Sequence, residues 1–464
     1  MVNEIEKDVL GEIWSSNEAY ETLVHLCDEF GSRFPGTVGE KPSAEYIASK
    51  LREYGLDNVS LDDFLYVGWK RGEAKLELLQ PREMELYTQS LALCPPTPPE
   101  GIEGDIIYLG PGFPELFKAK KDEIEGKIVL CTSQPRPSGA MVHRRTKYGY
   151  AVKYGAIGFI FVNHNPGQLM PTGSLRPAYR LAGEIPGIGV SWETGSHLIR
   201  ILEKEPAKVR IMTRDVITPD TKSWNVVAEI PGTDLKDQII LVGAHFEGHD
   251  IAVGALDDGS GAVVIMEAAR ALAKHKGKLK RTIRFVCFSA EEIGVTGSTC
   301  YTAKHSDELQ HIDLMINCDG AGRTADHVYR VYGPDSLQSY LQDLAGKMNY
   351  NMKVGRAMAA SSDHWPFYFQ GIPAASLSGY RSPAEVARVG RGWTHTSADT
   401  IDKVNPKHLK DAALVLAHSL IHLANEPGTI AERTSVDEIV RRLEENGMAE
   451  TLRVQLKWHP DSIR

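Results

Sequence analysis

The chain has 464 residues, of which 42% are hydrophobic and 24% are charged, and its formal net charge is −9 at pH 7. These values are typical of a folded globular protein with several domains and exclude a collagen-like or disordered chain. The negative charge disfavours a nucleic-acid-binding surface, and the apolar runs are too short to span a bilayer, so we predict neither nucleic acid nor membrane as a partner. The N-terminus lacks the basic and apolar stretches of a signal peptide, which predicts a cytoplasmic protein.

Two regions with different sequence patterns make up the first half of the chain. Residues 1–93 open with helical periodicity in KPSAEYIASKLREYGL (41–56), and AKLELL (74–79) then indicates a strand. Residues 94–215 begin with the turn-rich CPPTPPEGIEG and continue as short strands separated by glycine turns, such as GKIVLC and GAIGFIFV. This pattern predicts a small β-rich domain inserted into the first fold.

The second half of the chain, residues 216–426, alternates strands and helices. The main strand candidates are NVVAEI, QIILVGA, TIRFVCF, DLMINC and AASLS, and the helical patterns fall at about 259–276, 335–348 and 406–424. Such alternation predicts an α/β fold with a mostly parallel mixed sheet sandwiched by helices. Residues 427–464 form a charged helical tail, expected to pack on the body of the protein or on a second copy in a homodimer.

Acidic and imidazole side chains follow the predicted strands at the point where each strand ends. Ligand sites in an open α/β sheet form at the carboxyl ends of its strands, so these side chains are candidates for one shared site. They are His245, Asp257 and Asp258 after the first strand, Glu291 and Glu292 after the second, Asp319 after the third, and His395 in the loop WTHTSADT.

These candidates supply nitrogen and oxygen ligands without cysteine, which suits zinc or a similar divalent ion. One ion with five or six protein ligands would have no open position, whereas two ions that share a carboxylate leave room for water. In the adjacent pair Glu291 and Glu292, one carboxylate can bind metal while its neighbour acts as general base. The sequence therefore predicts a hydrolase with two divalent metal ions per chain.

The same segments resemble metallopeptidase family 28, the dinuclear zinc aminopeptidases and glutamate-carboxypeptidase-like enzymes. The resemblance rests on GAHFEGHDIAVGALDDGSGAVVIMEAAR, FSAEEIGVTGS, INCDGAG, SSDHWPF with GIPAASLSG, and WTHTSADT, which agree in order and spacing. In the middle region, GDIIYLG, GKIVLC, YGAIGFIFV and IPGIGVS resemble the protease-associated domain that many of these enzymes carry. The resemblance implies a zinc exopeptidase fold in two parts, 1–93 and 216–426, around an inserted protease-associated domain at 94–215.

The resemblance also implies a role for each candidate residue. Five would be metal ligands, namely His245 and Asp319 at one ion, Glu292 and His395 at the other, and Asp257 bridging both. Glu291 would be the catalytic general base, which takes a proton from the attacking water and returns it to the leaving amine. Zinc would be the expected metal.

One position departs from the family pattern. The family usually has His-x-Asp at the first ligand, where the aspartate supports the imidazole, but here HFE places Glu247 in that position. Its side chain is one methylene longer, so the departure bears on metal preference and affinity rather than on the reaction class. Asp363, His364 and Tyr380 are further candidates for supporting the ligands or lining the substrate pocket.

Other ionisable residues in these segments have simpler interpretations. His249 is expected to be a loop residue near the mouth of the site, and Asp258 is expected to cap the following helix. His418 and His422 lie four residues apart on a predicted helix, but AHSLIHLA lacks the glutamate of an H-E-x-x-H motif. The sequence alone therefore favours no second metal site there.

The predicted function is a metal-dependent exopeptidase acting on peptides, with an aminopeptidase as the first expectation. The family also contains carboxypeptidases and dipeptidases, and the ligand motifs do not separate them. Arg381, Arg388 and Arg391 precede His395 and keep the carboxypeptidase alternative open, because such an enzyme needs arginines for substrate carboxylates. More distant alternatives are a non-catalytic binding protein and a single-zinc acyltransferase or cyclase on the same fold.

Overall fold

The computed structural model describes residues 2–179, 182–350 and 352–458 of the chain, which form two sheets surrounded by helices. The strands are β1 (Asp57–Lys70), β2 (Ala74–Gln80), β3 (Met84–Leu86), β4 (Gln89–Ser90), β5 (Ile102–Tyr108), β6 (Ile128–Thr132), β7 (Gly158–Val162), β8 (Gly187–Val190), β9 (Lys208–Thr213), β10 (Val216–Ile230), β11 (Leu235–His245), β12 (Arg281–Phe288), β13 (Ile312–Asn317), β14 (His327–Tyr332), β15 (Lys353–Arg356) and β16 (Ala374–Gly379). The α-helices are α1 (Val2–Ser15), α2 (Glu18–Phe30), α3 (Glu40–Glu53), α4 (Pro114–Ala119), α5 (Lys121–Ile124), α6 (Arg144–Lys153), α7 (Trp192–Leu202), α8 (Ser260–Ala273), α9 (Thr296–Lys304), α10 (Asp335–Met348), α11 (His364–Phe369), α12 (Pro383–Val389), α13 (Pro406–Asn425), α14 (Val436–Glu445) and α15 (Met448–Val454).

One sheet is mixed and has the order β1-β10-β12-β11-β13-β16-β14-β15. This sheet and the helices packed on it are called the larger unit, and the other sheet with its helices is called the second unit. The four strands β12, β11, β13 and β16 run parallel in its middle, and antiparallel pairs flank them at both sides. Parallel strands are covered on both faces, and β11 is buried from Ile239 to His245, which accounts for its continuous apolar run. The predicted mixed α/β fold is confirmed.

Helices cover both faces of this sheet and hold the ends of its central strands. On one face, α8 lies against β11 and β12 and is covered by α1, α2 and α13. Its sequence SGAVVIMEAARALA is therefore apolar on nearly all sides. On the other face, an apolar cluster joins Phe288 of β12 to Tyr301 of α9, Phe367 of α11 and Leu443 of α14. The loop that precedes α8 is therefore attached to a helix that is packed between the sheet and three other helices.

The second sheet has the order β3-β2-β9-β5-β6-β7-β8-β4, with β5 to β8 parallel. Helix α6 packs on one face and α7 on the other. The predicted boundary at residue 94 divides this sheet, because β2, β3 and β4 precede it and pair with β9 and β8. The proline-rich segment at 94–104 therefore connects strands of the same sheet.

The predicted C-terminal tail contains α14 and α15, which pack on the body of the protein. Leu452 of α15 belongs to an apolar cluster of the larger unit, and Val454 belongs to the core of the second unit. Residues 459–464 of the predicted tail lie outside the described residues. Among the described helices, none combines the length and the apolar character needed to cross a membrane.

Candidate metal centre and active site

Three neighbouring parallel strands deliver charged side chains to one edge of the larger sheet. His245 is the last residue of β11, Glu291 and Glu292 follow the end of β12, and Asp319 follows the end of β13. Because these strands run parallel, their carboxyl ends lie side by side, as expected for a site at the edge of an open sheet. The structure therefore brings these four candidates together.

Asp257 lies between the two predicted histidine ligands. Its Oδ1 is 3.5 Å from Nε2 of His245, and its Oδ2 is 3.3 Å from Nε2 of His395. The carboxylate of Asp399 accepts hydrogen bonds from the backbone N–H groups of Leu256 at 2.7 Å and of Asp257 at 3.1 Å. Each carboxylate oxygen of Asp257 thus lies beside a different imidazole, and Oδ1 also pairs with Nη2 of Arg323 at 2.7 Å.

The first potential metal position involves His245 and Asp319. Their ligand atoms and one from Asp258 all lie within 4.8 Å of one another. Asp258 also accepts hydrogen bonds through Oδ1 from the N–H groups of Gly261 at 3.0 Å and Gly320 at 2.8 Å. The Asp258 carboxylate therefore holds the start of α8 and the loop after β13 while it lies beside the metal position.

The second potential metal position contains an imidazole that sequence reasoning placed elsewhere. Oε2 of Glu292 is 3.2 Å from Nε2 of His395 and 2.9 Å from Nε2 of His249. Burial lowers the pKa of His249 to about 3 and that of His395 to about 4, so both imidazoles are neutral and can bind a metal. The available signal was a second histidine four residues after His245 in the same loop.

Glu247 connects the two positions. Its Oε2 lies 3.3 Å from Nδ1 of His245, and its Oε1 accepts a hydrogen bond from the backbone N–H of Glu292 at 3.1 Å. Nδ1 of His245 also lies 3.1 Å from the backbone carbonyl oxygen of Glu247. The backbone carbonyl of Glu247 thus orients the His245 imidazole, with Oε2 of the side chain nearby, and Oε1 holds the backbone of Glu292.

Glu291 faces a cavity of about 110 Å³ that Asp257, Glu292, Asp319 and His395 also line. The side chain is buried, and its Oε1 has no hydrogen-bond partner among the described residues. Burial raises the pKa of Glu291 well above its usual value, and the adjacent Glu292 adds to this effect. A raised pKa makes this carboxyl group a better proton acceptor than an exposed glutamate.

Several potential ligand atoms at this edge are buried without a hydrogen-bond partner in the described part of the chain. They are Nε2 of His245, Oδ2 of Asp258, Oε1 of Glu291 and Oε1 of Glu292. Buried polar atoms in native proteins nearly always have a partner, so a cluster of unpaired atoms calls for one. Imidazole nitrogens and carboxylate oxygens around a shared aspartate fit divalent ions such as zinc.

Guanidinium groups line the same small cavity opposite the carboxylates. Arg144 and Arg145 reach it from α6 of the second unit. Arg144 donates to the backbone carbonyls of Ser174 at 3.1 Å and Thr172 at 2.9 Å, whereas Nε and Nη1 of Arg145 are buried without a partner among the described residues. Burial lowers the pKa of both arginines, because the cavity holds these cations away from water.

A larger cavity of about 800 Å³ adjoins the small one and is strongly basic. Its charged lining consists of Arg323, Arg330, Arg381, Arg388, Arg391 and Lys403, against the acids Asp319 and Glu385. The three arginines singled out from the sequence therefore do line a cavity beside the potential metal positions, with Arg381 before α12, Arg388 within it and Arg391 after it.

The three remaining sequence candidates, Asp363, His364 and Tyr380, have different environments. Asp363 is buried and accepts a hydrogen bond from Oγ of Ser298 at 2.5 Å, and burial raises its pKa to about 7. His364 lines the larger cavity and stacks on Tyr332 at 3.9 Å between ring centroids. Tyr380 lines neither cavity, and its ring lies 3.6 Å from Nζ of Lys353.

Comparison with protein families assigns both units of the chain. The model of "Peptidase family M28" matches residues 225–420, which contain all the candidate metal ligands. The model of "PA domain" matches residues 92–198, which belong to the second unit.

Relatives and solved structures agree with this assignment. Carboxypeptidase Q of Bos taurus is 28% identical over 408 residues, which cover 87% of this chain and 84% of that protein. Aminopeptidase YwaD of Bacillus subtilis is 28% identical over 443 residues, which cover 90% of this chain and 88% of that protein. A peptidase M28 precursor from Shewanella amazonensis shares the fold with a TM-score of 0.78 at 24% identity, over 94% of this chain and 99% of that chain. BSAP, a zinc aminopeptidase from Bacillus subtilis, shares the fold with a TM-score of 0.67 at 24% identity, over 90% of this chain and 97% of that chain. The chain therefore belongs to peptidase family M28, a family of metallo-exopeptidases, and carries a PA domain.

Proposed function

We propose that the protein hydrolyses terminal peptide bonds with two divalent ions of the zinc type. The ligands would be His245 and Asp319 at one ion, Glu292 and His395 at the other, and Asp257 shared between them. The observation that carries the proposal is the position of Asp257, which presents one oxygen to each of two histidines. The buried imidazole nitrogen and carboxylate oxygens around it, which have no hydrogen-bond partner among the described residues, support the same assignment.

Glu291 supplies the proton transfer in this proposal. The bound ions would provide Lewis-acid polarisation of the scissile carbonyl and would acidify a water. Glu291 takes the proton of the attacking water and passes it to the leaving amine, which requires a side chain that titrates near neutral pH. Its burial and the neighbouring Glu292 raise its pKa in the direction this role needs.

The two arginines of α6 favour a substrate that has a free carboxylate close to the cleaved bond. Arg145 lines the cavity beside Glu291, and its Nε and Nη1 have no hydrogen-bond partner among the described residues, whereas Arg144 donates to two backbone carbonyls. A buried guanidinium without an anion is unfavourable, and a carboxylate is its best partner. We therefore favour cleavage of dipeptides or of C-terminal residues, in which the free carboxylate lies next to the scissile bond.

An aminopeptidase remains the second candidate because the relatives include aminopeptidase YwaD as well as carboxypeptidase Q. Such an enzyme must hold the ammonium of its substrate, which needs acceptors. Among the described residues lining the larger cavity, Glu385 is the acid not assigned to metal, and it faces five arginines and a lysine. This charge distribution disfavours an ammonium and favours an anion.

Hydrolysis of end-blocked dipeptides separates these candidates. We expect the zinc-loaded enzyme to cleave free and N-acetylated dipeptides and to cleave dipeptide amides poorly. Arg145→Gln should raise KM for the free-carboxylate substrates about tenfold or more, since a charge-assisted pair is lost. Arg200→Gln, an exposed arginine of the same unit, is the matched control.

Two results would contradict these assignments. Cleavage of the amides but not of the N-acetylated substrates would make the protein an aminopeptidase. Glu291→Gln should lower kcat about 10²- to 10⁴-fold with unchanged metal content, and wild-type turnover in that variant would overturn the role of Glu291 as general base.

A further inference from the structure

A second group of potential ligands lies on the helical face of the larger unit. His418 and His422 are one turn apart on α13, and Glu6 of α1 faces both of them. Oε1 of Glu6 is 3.6 Å from Nε2 of His418 and 2.9 Å from Nε2 of His422. One ligand atom from each of the three residues lies within 4.8 Å of the other two.

This geometry matches the requirements of a small metal site. Ligand atoms of a tetrahedral zinc, with bonds of about 2.0–2.2 Å, are about 3.3 Å apart, and the two distances to Glu6 fall on either side of that value. Residues at i and i+4 lie on the same face of a helix, so both imidazoles point toward α1 without strain. Two nitrogens and one carboxylate oxygen leave a fourth position for water.

Access and surroundings also suit an ion. The side chains of Glu6, His418 and His422 are 18%, 12% and 26% exposed, so the group lies at the surface while most of each side chain is packed. Tyr350 packs edge-on against His418 at 6.0 Å between ring centroids and restricts that imidazole. A chelating set that is already ordered loses little entropy when an ion binds.

We propose that Glu6, His418 and His422 form a separate site for zinc or a similar transition-metal ion that fastens α1 to α13. The site would be structural, because it joins the first helix of the chain to a long helix that packs on α8. A metal that binds the folded state stabilises the contact between the helices it joins. This inference does not depend on the catalytic proposal.

Equilibrium dialysis of the zinc-loaded enzyme against free zinc, followed by elemental analysis, tests the stoichiometry. We expect His422→Gln and His418→Gln each to bind one zinc fewer per chain than the wild type. His408→Gln, on the same helix but outside the group, is the matched control and should bind as many ions as the wild type.

Hydrogen exchange locates the extra ion. Zinc should slow amide exchange in α1 and in the second half of α13 of the wild type, and this local protection should be absent in both histidine variants. Zinc at the catalytic centre would not produce protection confined to α1 and the second half of α13, so failure here is distinguishable from failure of the proposed function. Equal zinc content in all variants, or α1 exchange that zinc does not change, would show an ordinary hydrogen-bonded His–Glu group and would overturn the proposal.

Discussion

Glu247 shows how one methylene can change what a side chain holds together. Its carboxylate spans from Nδ1 of His245 to the backbone N–H of Glu292, with 3.3 Å and 3.1 Å to the two atoms. An aspartate, the residue usual at this position in the family, is too short by one carbon to keep both contacts from the same backbone position. The longer side chain therefore couples the two metal positions through one residue.

Glu247→Asp should weaken metal binding because one of these two supports is lost. We expect an affinity loss of about 10- to 100-fold, the usual effect of removing a group that orients a metal ligand. Competition with a chromophoric chelator measures the dissociation constants of the ions. Glu247→Gln keeps the reach and removes the charge, so it is the matched comparison. Wild-type affinity in Glu247→Asp would show that the extra methylene has no role.

Sequence reasoning singled out His245, Glu291, Glu292 and Asp319 because they lie at or just after strand ends, where local patterns are informative. His249 lies in the same loop, but nothing local shows that its ring turns toward Glu292. Arg145 is more remote still, since 146 residues separate it from Glu291 along the chain. The basic run HRRTK is visible in the sequence, but its placement in the cavity depends on how two domains pack.

Elements with strong local periodicity were predicted closely, and elements defined by their partners were not. The predicted helix at 335–348 is α10, and the one at 406–424 is α13 with one more residue at its end. β14 and β15 were not predicted, because each is ordered by pairing with another strand rather than by its own pattern. The pairing of the predicted strand AKLELL, which is β2, with the distant β9 was not predicted for the same reason.

At the start of α3, a buried carboxylate joins the helix to two strands of the large sheet. Oε1 of Glu40 accepts hydrogen bonds from Oγ of Ser223 in β10 and, at 3.0 Å, from Oγ of Ser289 just after β12. Oε2 accepts a hydrogen bond from the N–H of Gly36 at 2.7 Å. Burial outweighs these hydrogen bonds and raises the pKa of Glu40 to about 7.

Glu40→Gln should therefore change the pH dependence of stability. With a folded pKa above the unfolded value, the carboxyl stabilises the folded state below pH 4.5, and this contribution is lost as pH rises toward 7. The free energy of unfolding of the variant should rise relative to the wild type by about 2 kcal/mol between pH 5 and pH 8. Denaturant unfolding at both pH values measures it, and a pH-independent difference would contradict the raised pKa.

On the scale of the whole molecule, the larger unit and the second unit meet at the small cavity, and the C-terminal tail contacts α6 of the second unit. The larger unit supplies the proposed metal ligands and Glu291, and α6 of the second unit supplies Arg144 and Arg145. The C-terminal tail fixes α6 from behind, because Gln455 donates to Oγ1 of Thr146 at 2.6 Å. Lys457 then returns the tail to the larger unit by donating to the carbonyl of Ala360 at 2.8 Å.

Gly149 of α6 lies against the backbone of the tail at Val454. A Cβ atom there would lie 2.1 Å from the backbone carbonyl oxygen of Val454, so Gly149→Ala must displace either α6 or α15. Displacing α6 moves Arg144 and Arg145, and a shift of about 1 Å can lower the efficiency of a positioned group by as much as 10²-fold. The contact is backbone to backbone, so a rotamer change cannot relieve it.

We expect Gly149→Ala to raise KM for free-carboxylate dipeptides about tenfold, with unchanged metal content, and to speed proteolysis in the tail. Gly346→Ala in α10 is the matched control, because a Cβ at that position meets no atom within 4 Å. Both changes add the same methyl group to a helix and raise its intrinsic propensity equally, by about 1 kcal/mol. Any difference between them therefore reports the contact with Val454 alone. If Gly149→Ala matches Gly346→Ala in both KM and proteolysis rate, the tail does not position α6.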